Sequence, residues 1–278
     1  MERINEVDRL KKKAEEIRYD IVSMIAEAGS GHPGGSLSGA DLGSVLFFNE
    51  MKYDPKNPEL GDRDRFILSK GHAAPLLYAL LANAGYFERS ELKTLRKYKS
   101  RLQGHPASYM LPGVEVSTGS LGQGLSISCG IALAGKLDKK DFRVYTLLGD
   151  GELDEGQVWE AAMFASHNKL DNLCAIVDRN RLQIDGDTEK VMALEPLRAK
   201  WDAFGWHTIL INGHDISEIL HAFKEFNSVK NKPTVILAQT VKGKGVSFME
   251  NKAGWHGKAP NKDELEQALK EIKARMEV

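Results

Sequence analysis

The feature that most constrains this chain lies near its middle. Arg143-Val144-Tyr145-Thr146-Leu147-Leu148 is an apolar run of strand type that breaks at Gly149-Asp150-Gly151. A helix-forming stretch, Gln157 to Asn168, follows, and then a second apolar run, Leu173-Cys174-Ala175-Ile176-Val177, breaks at Asp178-Arg179-Asn180. A strand, a helix and a strand in so short a span form a crossover unit, whose strands lie parallel and whose connection is right-handed. The rest of the chain must be compatible with a parallel sheet that needs cover on both faces.

The flanking sequence supplies that cover. Ile4, Val7, Leu10, Ala14, Ile17, Ile21, Ile25 and Ala28 recur at three- and four-residue steps, which predicts an amphipathic helix over 4–28. Gly29-Ser30-Gly31-His32-Pro33-Gly34-Gly35 stops it and predicts a loop, with a further helix from Ser38 to Asn49. A short strand is expected over Arg65 to Ser69, and helices over Ala74 to Ala84 and Gly122 to Leu137, with a long loop over 100–121 between them. Two more strands are expected at His207 to Ile211 and Thr234 to Thr240. Between them lies a helix opened by a capping box, Asp215 with Glu218, and residues 262–278 form a charged helix. No repeat, low-complexity stretch or linker interrupts this order. The expected architecture is α/β, a mostly parallel sheet with helices on both faces, in one domain spanning residues 1–278.

Charge narrows the partners. Thirty-eight basic and 39 acidic residues leave a formal net charge of -1, which gives no general attraction to nucleic acid or to an anionic membrane. The runs Lys11-Lys12-Lys13 and Lys139-Lys140 sit among acidic residues and read as solvated faces. The two cysteines, Cys129 and Cys174, lie in apolar runs and are expected as buried thiols. The charged N-terminus has no apolar core of a signal peptide, and no run is long enough to span a membrane, so a cytoplasmic protein is expected.

Ligands of open parallel sheets bind beyond the carboxyl ends of the strands. Asp150 and Asn180 stand there, offering the hard oxygens that Mg²⁺ or Ca²⁺ prefers, with Gly149 and Gly151 leaving the backbone open to a phosphate. Asp150 is expected as an exposed strand-end carboxylate. An isolated Gly-Asp-Gly is usually only a turn; two such breaks capping one crossover unit reverse that reading. Four of the eight histidines, His32, His72, His105 and His256, fall in glycine- or proline-rich loops that could meet at one strand-end crevice. The other four (His167, His207, His214 and His221) lie in or beside predicted helices and strands, where structural or surface roles are expected.

Gly149-Asp150-Gly151 followed by Asn180 is similar to the thiamine-diphosphate signature. Ser30-Gly31-His32-Pro33-Gly34, Ser69-Lys70-Gly71-His72-Ala73, Gly104-His105-Pro106 and the stretch from Leu111 to Gly124 resemble the transketolases in particular, in that family's order. The resemblance implies the family's diphosphate-binding domain, with thiamine diphosphate and Mg²⁺ as cofactors and Ca²⁺ or Mn²⁺ as substitute ions. It implies Asp150, Asn180 and the carbonyl of Leu182 as metal ligands. It implies cofactor contacts at His72, Gly119, Ser120, Leu121, Gly149, Asp150, Gly151, Glu152, Asn180 and His256. His32, His72, His105 and His256 would surround the thiazolium and donor ketose, and Glu155 matches a family glutamate near the cofactor at the dimer interface. Lys242-Gly243-Lys244-Gly245 departs from the family's usual apolar-glycine-aromatic-glycine step and resembles the related deoxyxylulose-phosphate synthases. Those synthases lack the His105-Pro106 loop and a glutamate at the Glu155 position.

Full-length transketolases resemble this chain over their first half only. The implied enzyme is therefore split: a second chain would carry the pyrimidine-binding and C-terminal domains, two copies of each chain would assemble, and sugar phosphates would be the substrates. Another split thiamine-diphosphate enzyme and a non-catalytic assembly subunit stand as alternatives. A nucleotide-binding protein is disfavoured because no glycine-rich phosphate loop follows a strand.

Overall fold

A computed structural model describes residues 3–277. Its first helix, α1 (Val7–Ala28), buries Leu10, Ala14, Ile17, Ile21 and Ile25 along the stripe read from the sequence and ends at Gly29 in the left-handed region. The next segment departs from expectation. Instead of a loop to Gly35 and one helix after it, the chain forms α2 (Pro33–Ser38), α3 (Ala40–Val45) and a π-helical turn, Leu46–Glu50. Pro33 starts α2 at a position where a missing N–H costs nothing. Gly35 brings this short helix against the His72 ring, where a Cβ would lie 3.6 Å from Nε2.

Strands β1 (Arg65–Leu68), β2 (Val144–Gly149) and β3 (Leu173–Arg179) follow, interleaved with α4 (Ala74–Ala84), α5 (Gln123–Leu137) and α6 (Gly156–His167). Then come a short antiparallel pair, β4 (Leu182–Gln183) and β5 (Gly186–Asp187), and helices α7 (Thr188–Val191) and α8 (Leu197–Ala203). These four pieces are too short for periodicity to reveal, and the sequence reading does not contain them. Strand β6 (His207–Asn212), helix α9 (Ile216–Ser228), strand β7 (Thr234–Gln239) and helix α10 (Lys262–Met276) complete the chain. Asp215 caps α9 as expected, yet Glu218 turns its carboxylate to the Asn212 amide at 2.7 Å. The reciprocal box forms at α10, between Asn261 and Glu264.

The main sheet has five strands in the order β1-β2-β3-β7-β6, all parallel. Alternate side chains divide the core. Phe66, Leu68, Tyr145, Leu147, Cys174, Ile176 and Ile236 pack with α1, α4 and α9 on one face. Ile67, Val144, Leu148, Ala175, Val177 and Leu237 pack with α5, α6 and α8 on the other. Helices thus cover both faces, and the carboxyl ends of β1, β2, β3 and β7 open on one edge. Both cysteines are free and buried. Among the described residues no helix is long and apolar enough to cross a membrane.

Candidate active site

At that edge a cleft of 290 Å³ is lined by His32, Gly35, Lys70, His72, His105, Gly119, Leu121, Gly149, Asp150, Gly151, Glu152, Asn180, Leu182, Gln183, Ile184, Lys242 and His256. Of the site positions expected from the sequence, the cleft gathers all but Ser120 and Glu155. Those two are exposed at its rim, and Glu155 packs so closely on Gly122 that a Cβ there would meet its Cβ at 2.8 Å.

Four loops bring the histidines together. The His32 ring centroid lies 5.3 Å from His72, 5.4 Å from His256 and 6.3 Å from His105, and His72 lies 5.0 Å from His256. None of these rings touches a carboxylate among the described residues. Burial, then Arg96, His105 and Lys242, pulls His32 down to about 4. Burial, then Lys242 and His32, pulls His256 down to about 4, and burial with His256 and Lys70 takes His72 to about 2. His105 is lowered by burial and by Arg96. At neutral pH the rings are uncharged imidazoles, able both to give and to accept a proton.

Asp150 begins a 3-10 turn at the end of β2 and is 2% exposed, not the exposed carboxylate expected. The 181–196 segment folds over it. Its Oδ1 accepts from the Gly151 amide at 2.8 Å, while Oδ2 accepts from the Arg181 amide at 2.5 Å and from Arg179 Nη1 at 3.2 Å. Burial, with Asp178 nearby, pushes Asp150 up to about 6 despite these donors. Asn180 Oδ1 accepts from the Leu182 amide at 3.1 Å, and the Leu182 carbonyl faces the cleft, where Lys242 Nζ donates to it at 3.1 Å. A carboxylate, an amide oxygen and a carbonyl are a donor set suited to a hard cation. No three His, Cys, Asp or Glu side chains gather as a metal cluster among the described residues.

Two lysines border the same space. Lys70 is buried, donates to the Gly35 carbonyl at 2.7 Å and pairs with Asp178, which also holds Ser38 and Thr240. Burial raises the Asp178 carboxyl, but Lys70 and these donors bring it below its ordinary value. Lys242 Nζ lies 2.9 Å from His256 Nδ1, and burial lowers this amine to about 8 against the pull of Asp150 and Asp178. Glu152 is turned inward, accepting from Ser69, from the Gly122 amide at 2.8 Å and from the Gly149 amide at 3.0 Å, and so ties three cleft loops together. Sequence reasoning missed Lys70, Asp178 and Arg179 as members of the site. The available signal was a charged pair, Asp178-Arg179, closing an otherwise apolar strand: such groups are buried only with partners.

The chain matches the family model described as transketolase, thiamine diphosphate binding domain, over residues 10–275. It is 43% identical over 272 residues to a subunit of the apulose-4-phosphate transketolase of Phocaeicola vulgatus, covering 98% of this chain and 96% of that protein. It is 45% identical over 263 residues to the 6-deoxy-6-sulfo-D-fructose transketolase subunit SqwG of a Clostridium species, covering 95% of this chain and 96% of that one. Among solved structures, the transketolase of Campylobacter jejuni superposes with a TM-score of 0.91 at 35% identity, covering 96% of this chain but only 43% of that one. The chain therefore spans nearly the full length of two subunit relatives and less than half of a longer relative.

Proposed function

The chain belongs to the transketolase thiamine-diphosphate-binding family, and from that premise we propose that it is the diphosphate-holding subunit of a split transketolase. With a second chain it transfers a two-carbon ketol unit from a ketose phosphate to an aldose phosphate. The observation that carries this reading is the meeting of three uncharged histidine rings with the oxygens of Asp150, Asn180 and Leu182 in one strand-end cleft. The length match to two subunit relatives supports the split.

In this reading Asp150, Asn180 and the Leu182 carbonyl hold Mg²⁺. Gly149, Gly151, His72, Gly119, Ser120 and Leu121 would contact the cofactor, and Glu152 braces the loops that carry them. Lys242, on the Leu182 carbonyl, would add positive charge for the phosphates. When bound, thiamine diphosphate supplies the nucleophilic thiazolium carbon through which the ketose carbon–carbon bond is broken and remade. His32, His105 and His256 face the sugar, donate to the carbonyl oxygen as negative charge develops on it, and return the proton as the bond re-forms. Their low proton affinity keeps the rings from being locked as cations at neutral pH. Glu155, exposed at the rim, meets the partner surface, and the second chain contributes the pyrimidine-side groups; the assembly contains two copies of each.

Co-expression with candidate second subunits, followed by a screen over sugar phosphates, a sulfonated ketose and 2-oxo acids, tests the proposal. Ketol transfer from a sugar donor is the expected result. Turnover of 2-oxo acids alone would place the chain with the decarboxylating enzymes instead, and loss of Asp150 without effect on a purified active complex would reject the site.

A further inference from the structure

The wall of the cleft formed by Leu182, Gln183 and Ile184 belongs to a segment with little apolar anchorage. Ile184, Val191 and Met192 are exposed, at 69%, 43% and 62%, and Thr188 and Leu194 are its main buried points. Lys242 reaches the Leu182 carbonyl at 3.1 Å, Gln183 reaches Asp154 at 3.3 Å and Lys200 reaches the Leu194 carbonyl at 2.7 Å, but the group that gathers most of the segment's polar contacts is one guanidinium. Arg179, 4% exposed at the end of β3, donates through Nη1 to Asp150 at 3.2 Å and to Thr188 Oγ1 at 2.6 Å. Through Nη2 it donates to Glu189 at 2.6 Å and to Glu195 at 3.1 Å. Glu189 then accepts the amides of Leu194 and Glu195, both at 3.2 Å, and Glu195 accepts the Leu197 amide at 2.8 Å. From the cleft side the Arg181 amide closes the ring on Asp150.

We propose that Arg179 is a positioning residue that clamps the 181–196 segment to Asp150, so that the Asp150 carboxylate and the Leu182 carbonyl are held as one preassembled wall. Its relevance to a metal and diphosphate rests on the function proposed above; the clamp itself does not. The planar fork suits the task because its N–H groups leave in fixed directions and can serve Asp150, Thr188, Glu189 and Glu195 together, which a lysine cannot.

Positioning can be separated from electrostatics by sign. A cation beside a metal ligand opposes a divalent ion, so an electrostatic role alone makes Arg179→Met tighten Mg²⁺ and Glu189→Ala loosen it. A clamp broken from either side gives the same loss. Hydrogen exchange on the full chain without cofactor is therefore measured for the wild type, Arg179→Met, Arg179→Lys, Glu189→Ala and the Arg179→Met/Glu189→Ala double variant. Expected is exchange over 182–195 at least about tenfold faster in both the methionine and alanine variants, with partial recovery in Arg179→Lys and no further gain in the double variant, since contacts in one network do not add. In the assembled enzyme, calorimetry with thiamine diphosphate and Mg²⁺ is expected to show both single variants weakened by about 10–100-fold, the usual loss when a group that orients a metal ligand is removed. Unchanged exchange over 182–195, or affinities shifted in opposite directions by the two substitutions, overturns the clamp. Failure of the wild-type complex to bind the cofactor counts against the proposed function, while the exchange measurement still decides the clamp.

Discussion

Two clusters of buried polar groups, one beside the carboxyl ends of β6 and β7 and one in the cleft, use the same residue types to opposite ends. In the first, Arg18 pairs with Glu15 at 2.7 Å and with Asp41, and Arg275 reaches Glu15 at 3.1 Å. His214 donates from Nδ1 to Asp41 at 2.7 Å and accepts the Val241 amide on Nε2 at 2.8 Å, which fixes its tautomer. Cation and anion alternate, and both nitrogens of the imidazole are used. In the cleft, His32, His72 and His256 stand among Lys70, Lys242 and Arg96 with no carboxylate partner, and His32 Nδ1 is buried without a hydrogen bond. A network paired within the chain contributes to the fold; rings left without a carboxylate, beside Lys242 and Arg96, keep hydrogen-bonding capacity free for the anionic ligand of the proposed function.

Substitutions that move function and stability independently put this contrast under strain. The largest effect belongs to Asp150→Ala. Removing a group that merely orients a ligand costs about 10–100-fold in metal affinity, so removing the carboxylate itself is expected to abolish measurable Mg²⁺-dependent binding of thiamine diphosphate by calorimetry on the assembled complex. The fold should survive, because Arg179 keeps Glu189 and Glu195 as partners. Next comes Arg18→Met. It takes one cationic partner from each of two buried carboxylates, leaving Glu15 to Arg275 and Asp41 to His214, and is expected to cost up to about 3–5 kcal/mol in denaturant unfolding, with affinity for the cofactor unchanged in whatever fraction remains folded. An Arg18 variant of wild-type stability would dissolve the contrast from the structural side.

The third effect is catalytic. His105→Ala or His256→Ala is expected to lower turnover by about 10²–10³, or about 2.7–4 kcal/mol of transition-state stabilisation, with melting temperature and cofactor affinity changed far less. A histidine variant that melted early and turned over normally would move that ring into the structural class. The smallest effect is on pH. Folded His32 and His256 hold their protons only below about 4, whereas the unfolded chain binds them below the ordinary 6.5. At these two positions the unfolded state therefore takes up more protons as pH falls from 6.5 to 4, so what the rings contribute to stability drops across that window and is flat above it, opposed in part by Asp150, whose raised carboxyl favours the fold as it takes up its proton below about 6. Each ring adds less than about 1.4 kcal/mol per pH unit, discounted further because both are partly open to solvent. His32→Asn should flatten the slope in urea titrations run at pH 7, 6 and 5; an unchanged slope would mean the ring is not held neutral.

The sheet was legible because its strands carry their own signal. Val144 to Leu148 and Leu173 to Val177 are apolar on both faces, as strands between two helical layers must be, and their breaks fall at the ligand edge. The histidine loops and the Asp150, Asn180 and Leu182 set could be named because short motifs mark them. What escaped the sequence was the means by which they are held. Pro33 reads as a breaker yet opens α2, and the 182–197 stretch, too short in each piece for any period, gives no sign that it covers Asp150. Glu218 shows the same limit: spacing predicts a capping box, and only the position of the Asn212 amide decides where its carboxylate goes. Local pattern fixes what an element is; contacts between distant elements decide what its polar side chains do.

The most direct test of the proposed split enzyme is a ketol-transfer assay on this chain alone, purified and supplied with thiamine diphosphate, Mg²⁺, a ketose phosphate and an aldose phosphate, run beside the same chain mixed with a second subunit. Expected is a folded chain with no turnover alone and ketol transfer in the mixture, accompanied by tighter cofactor binding and a higher melting temperature. Robust transfer by the isolated chain, without any second polypeptide, would contradict the split-enzyme reading outright.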